Sequence, residues 1–75
     1  MSIGENIRFY RKLMGLSQKE LAKKAFCDRS YIALIEGGRK PPSAAIIKII
    51  AEALNVTPND LYGINEEAGN DAENH

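Results

Sequence analysis

The side chains best equipped for chemistry in this chain stand between positions 18 and 40: Gln18, Arg29, Ser30, Tyr31, Leu34, Arg39 and Lys40. None is a nucleophile beside a base, and no His/Cys cluster with metal-ligand spacing accompanies them. An amide, a guanidinium fork, hydroxyls and an ammonium recognise rather than react; they suit phosphate oxygens and the edges of bases. Arg29, in the first turn of its segment, can pair bidentately with guanine O6 and N7, worth roughly 1–3 kcal/mol against a wrong base. Its alternative is a surface arginine pairing with Asp28 or a phosphate. Ser30 is small and both donates and accepts. Leu34, one helical turn later on the same side, can touch a thymine methyl or pack on the loop that follows. Tyr31 can reach a phosphate through its hydroxyl, or sit half-buried at a domain edge. Lys19, Lys23, Lys24, Arg39 and Lys40 can line a phosphate backbone or simply be solvated. Arg39 and Lys40 are read as phosphate contacts, and Lys23, on the far side from Gln18, as solvated.

All of these groups but Arg39 and Lys40 ride on two short amphipathic segments within residues 18–37, separated by about one tight turn. Helices so short are not stable alone in water, because nucleation outweighs so few hydrogen bonds. They must be braced against each other and a core, which leaves the outer face of the second free for a partner. That is the layout of a helix-turn-helix DNA reader.

The elements that hold them read as helices throughout. Segment one, about 3–14, places Ile3, Ile7, Tyr10 and Met14 on one stripe. Gly15 stops it and Leu16 seals the end. Ser17 and Glu20 form a capping-box signature for segment two, about 18–25, which buries Leu21, Ala22 and Ala25. Segment three starts at the N-cap Asp28, turns Ile32 and Ile35 inward, and ends at Gly37-Gly38. Arg39-Lys40-Pro41-Pro42 is a stiff basic loop. Ser43 caps a segment over 44–54, Asn55 suits its exit, and Thr57-Pro58 opens a last helix to about Tyr62. The expected fold is all-α, a compact five-helix bundle over residues 1–63, followed by an acidic tail over 64–75 that is expected to be disordered.

Seventy-five residues make one domain near the lower limit for folding without staples, and 44% hydrophobic residues suffice for one core. One cysteine excludes an internal disulfide, and Cys27 is read as a small buried hydrophobe. With no run of eighteen apolar residues and no signal pattern, a soluble, cytoplasmic and nucleoid-associated protein is expected. The net charge of zero divides unevenly: residues 1–63 hold all ten Lys/Arg and six acids, and the other four acids lie in the tail. The folded part is therefore mildly basic; charge alone does not indicate DNA.

Gly15-Leu16-Ser17-Gln18, Glu20-Leu21-Ala22, Ser30-Tyr31-Ile32, Ile35-Glu36, Gly38, Pro41/Pro42-Ser43 and Ala53-Leu54-Asn55-Val56-Thr57 resemble the helix-turn-helix family of lambda-type Cro/C1 (XRE-like) repressors over about residues 3–63. The string Asp28-Arg29-Ser30-Tyr31-Ile32 is most similar to restriction–modification controller proteins. The resemblance implies a lambda repressor-like fold and a sequence-specific regulator of transcription. It matches Gln18 to a phosphate clamp aided by a helix N-terminus. It matches Arg29, Ser30, Ala33 and Leu34 to the base-facing side of the recognition helix, and Tyr31, Arg39 and Lys40 to phosphate contacts. Glu36 opposes the dipole at the end of its helix, and the resemblance pairs it with Arg11 as a structural ion pair. One departure is Phe26, where the family commonly has glycine. A left-handed backbone there costs a non-glycine residue roughly 1–2 kcal/mol, so either the turn is distorted or packing compensates.

Segment four is more apolar than one core needs. Ala44, Ile47, Ile50, Ala51 and Leu54 share the inward arc, while Ile46, Ile49 and Ala53 form a second one about 100° away. Two isoleucines left in water would forgo roughly 1.5–3 kcal/mol each. A two-fold interface of Ile46, Ile49 and Ala53 with Leu61 or Tyr62 is expected, giving a homodimer on a palindrome. The alternative is a deeper core covered by the last helix or the tail. A competing function is an antitoxin or other protein-interaction module carrying a helix-turn-helix. Enzyme chemistry, a metal, a cofactor, a membrane and a small-molecule ligand are not expected.

Overall fold

Among the described residues five helices form, each where the local punctuation places it: α1 (Ile3–Leu13), α2 (Gln18–Lys24), α3 (Arg29–Glu36), α4 (Ala44–Leu54) and α5 (Pro58–Tyr62). The structure, a computed structural model, describes residues 1–63, and the expected acidic tail lies outside the described residues. Among the described residues there is no strand.

Caps define the starts. Ser2 with Glu5, Ser17 with Glu20 and Thr57 with Asp60 each form a complete reciprocal capping box, and the Ser43 hydroxyl accepts from the Ile46 amide. Backbone hydrogen bonds from Ser2 and Ser17 hold the Glu5 and Glu20 carboxyls below the usual carboxylate range. Ser17→Ala removes the acceptor for the Glu20 amide, and an urea melt is expected to show a loss of about 1 kcal/mol. An unchanged midpoint would show that α2 is held by packing alone. Asp28 departs from expectation: it occupies the N-cap position of α3, but its side chain makes no capping bond. Asn55 and Gly63 end α4 and α5 in the left-handed conformation.

The core joins all five helices through Ile7, Leu21, Ala22, Ala25, Ile32, Ile35, Ile47, Ile50, Ala51, Leu54 and Leu61. Three expectations about burial are corrected. Met14 is exposed: α1 ends at Leu13 and Met14 is its C-cap. Ala44, the first residue of α4, is exposed even though it lies on the inward arc. Leu61 is fully buried, so this residue belongs to the core and not to a surface interface; Tyr62 beside it is exposed.

Two contacts fix α1 in place. The buried Asn6 side-chain amide donates to the Leu61 carbonyl at 2.8 Å, tying α1 to α5. Gly4 is buried against the end of α3, where a Cβ would land on the Ile35 carbonyl oxygen. The N-terminal turn of α1 thus sits on the carbonyl end of α3, a favourable meeting of opposite dipole ends.

Candidate nucleic-acid interface

α2 and α3 pack on each other across the turn at residues 25–28. Phe26 adopts φ 59°, so the turn keeps the left-handed residue that glycine would supply and is not distorted in that way. Packing does not compensate either, because Phe26 is 90% exposed. Cys27 is half-buried, and burial, followed by the neighbouring Asp28, raises its thiol pKa. A protonated, partly covered thiol is a poor nucleophile.

On the outward side of α3, Arg29, Ser30 and Leu34 are exposed and Ala33 is partly so. Inward, Ile32 and Ile35 are buried, which fixes the rotation of the helix and hence which face is free. Arg29 does not pair with Asp28 within ion-pair distance; its Nη1 donates weakly to Gln18 Oε1 at 3.4 Å.

Gln18 is held at both ends. Its Nε2 donates to Glu36 Oε1 at 3.1 Å while its Oε1 accepts from Arg29. Behind it, Arg11 Nε donates to Glu36 Oε2 at 2.6 Å and Arg11 Nη2 to Glu36 Oε1 at 3.1 Å. Arg11 Nη1 donates to the Leu16 carbonyl at 2.8 Å. The ion pair expected between Arg11 and Glu36 therefore forms, buried on both sides, and is the one ion pair within 4 Å among the described residues. A chain of bonds runs from the core through Glu36 and Gln18 to Arg29 at the surface. One hydrogen on Gln18 Nε2 is left to give outward.

The basic loop is placed by the end of α3. Gly38, at φ 76°, reverses the chain, and the Arg39 and Lys40 amides both donate to the Leu34 carbonyl at 2.9 and 3.3 Å. Lys40 Nζ lies 5.7 Å from the centroid of the Tyr31 ring, a cation–π distance. Gln18 with Arg29, and Tyr31 with Lys40, are thus brought together as two pairs flanking the exposed face of α3. Lys23 is exposed.

Sequence reasoning missed the Gln18–Glu36 contact, Asn6 and Gly4. The first joins positions 18 apart, and no local pattern signals it. Among the described residues, no group of three or more His, Cys, Asp or Glu gathers to hold a metal, and no helix is long and apolar enough to cross a membrane.

Residues 7–61 match the family described as Helix-turn-helix. The chain is 38% identical over 63 residues to the immunity repressor protein of Bacillus phage phi105, covering 84% of this chain and 44% of that protein. It therefore spans less than half the length of that relative. The crystal structure of the restriction-modification controller protein C.AhdI from Aeromonas hydrophila superposes with a TM-score of 0.78 at 37% identity, over 80% of this chain and 87% of that one. SinR, described as the master regulator for biofilm formation and crystallised with DNA, gives 0.75 at 37% identity over 79% and 95%. The resemblance read from the motifs and the all-α, lambda repressor-like fold are both borne out.

Proposed function

This chain belongs to the helix-turn-helix family, and on that premise we propose that it is a sequence-specific duplex-DNA-binding regulator of transcription, acting as a homodimer on a palindromic operator in the cytoplasm. The observation that carries the reading is the exposed polar face of α3, with Arg29 steadied on Gln18 and with Tyr31 and Lys40 assembled beside it. In this reading Arg29, Ser30, Ala33 and Leu34 meet base edges in the major groove, and Gln18, Tyr31, Arg39 and Lys40 hold phosphates. Ile46, Ile49 and Ala53, all partly exposed on α4, form the two-fold contact with exposed Tyr62. Such a dimer sets two recognition helices about 34 Å apart, one turn of DNA. DNA in the crystals of SinR and recognition-type side chains without a reactive constellation favour a binding role over catalysis.

Selection of bound duplexes from a random pool tests this directly. The expected result is a symmetric site with half-sites about one helical turn apart. No enrichment, and no more binding at low salt than an inert control protein gives, would overturn it. In the selected site, Arg29→Ala is expected to relax preference at one base pair per half-site at a cost of roughly 1–3 kcal/mol. Arg39→Ala is expected instead to weaken all sequences alike and to reduce the salt slope by about one per protomer. Identical behaviour of the two variants would reject the division of roles.

A further inference from the structure

Phe26 is placed at a disadvantage in both backbone and side chain. It is one of two non-glycine residues with positive φ among the described residues, at 59°, and the other, Asn55, is of a type that tolerates this conformation. Its ring is 90% exposed, so nothing inside the protomer offsets the strain. The ring does not stand alone, however. It forms one wall of a groove completed by Lys24, Ile49, Glu52 and Ala53. Ile49 and Ala53 belong to the apolar stripe of α4, and Lys24 and Glu52 put opposite charges on the same groove without an ion pair between them.

A contact across a two-fold axis presents one patch to itself, so that patch must carry both knob and hole, and both signs of charge. This groove carries all four. We propose that Phe26 of each copy seats in the groove of a second copy of this chain, against Ile49 and Ala53, with Lys24 of one copy facing Glu52 of the other. The inference deepens the homodimer reading above and rests on it. Aromatic side chains bury about 150–250 Å² each, so two rings would supply roughly a quarter or more of the about 1,200 Å² at the low end of stable interfaces. The strain at the turn would then serve to hold an aromatic out from the surface, at a point where glycine would leave the partner's groove empty.

The substitution Phe26→Gly separates strain from contact. Glycine accepts this φ freely, so at a concentration low enough for both proteins to be monomeric the variant is expected to melt at the wild-type temperature or above it, and loss of folding cannot mimic the result. Sedimentation equilibrium is expected to show a dimer dissociation constant at least tenfold higher than wild type. Lys24→Glu is expected to weaken the dimer as well, and Lys24→Glu with Glu52→Lys to restore it. Wild-type protein that stays monomeric at tens of micromolar would overturn the homodimer reading and the seat with it. A dimeric wild type whose constant moves less than twofold in Phe26→Gly would overturn the seat alone. Weaker DNA binding by Phe26→Gly at an unchanged dimer constant would also overturn it, and would make the ring a duplex contact.

Discussion

Arg11→Met is expected to destabilise the domain by about 3–5 kcal/mol, the range seen when one partner of a buried ion pair is removed. The methionine fills much of the volume, so the effect is electrostatic. Glu36 is 8% exposed and sits at the carbonyl end of α3, where the helix dipole already disfavours a carboxylate. Without the guanidinium it keeps, among the described residues, only the Gln18 amide as a side-chain donor. The Leu16 carbonyl also loses its donor, which loosens the connection between α1 and α2. For a domain of this size the loss rivals the whole stability, so urea unfolding is expected to show a largely unfolded protein at physiological temperature. Adding Glu36→Leu removes the stranded charge, and the double variant is expected to recover much of the deficit. It would not recover the anchoring of Gln18, so the steadying of Arg29 should remain lost and DNA affinity should stay below wild type even where folding returns. An Arg11→Met variant within about 1 kcal/mol of wild type would show that Glu36 is relieved in some other way.

Gly4→Ala is expected to cost about 2 kcal/mol or more, although helix propensity alone argues the opposite. Alanine is preferred over glycine in a helix by roughly 1 kcal/mol. Here the added Cβ would fall on the Ile35 carbonyl oxygen and 2.9 Å from the Glu36 carbonyl oxygen. Both are backbone atoms of a packed helix end and cannot rotate away, so α1 and α3 must separate. Overpacking of this kind typically costs 1–3 kcal/mol, and the separation pulls directly on the Arg11–Glu36 pair. Thermal unfolding checks the sign: a melting temperature at or above wild type would reject the close approach. Because α3 is the helix assigned to the DNA groove, operator affinity should fall further than the stability change alone requires.

Much of the fold was legible because its signals are local. Ser17 with Glu20 and Thr57 with Pro58 act within one turn, and α4 and α5 fall at the expected residues. The box of Ser2 and Glu5 carries the same local signature at the start of α1. The errors lie where a helix ends or where a partner element intervenes. Met14 continues the α1 periodicity in sequence but stands at the C-cap in space. Leu61 looks like a surface candidate until α1 and α4 are seen to close over α5. The candidate site was half legible: residue types on α3 pointed to the groups proposed for recognition, but nothing near Gln18 reports that Glu36 and Arg29 grip its two ends.

Taken by itself, the chain of residues determined five helices, their caps and which stripe of each is apolar, since those depend on neighbours within about four positions. Only the tertiary structure decided that Gly4 must be bare, that Glu36 is neutralised in the interior, and that Phe26 is left in solvent on a strained turn. Such outcomes depend on which surfaces meet when helices pack. That geometry joins positions tens of residues apart, where no sequence period reaches.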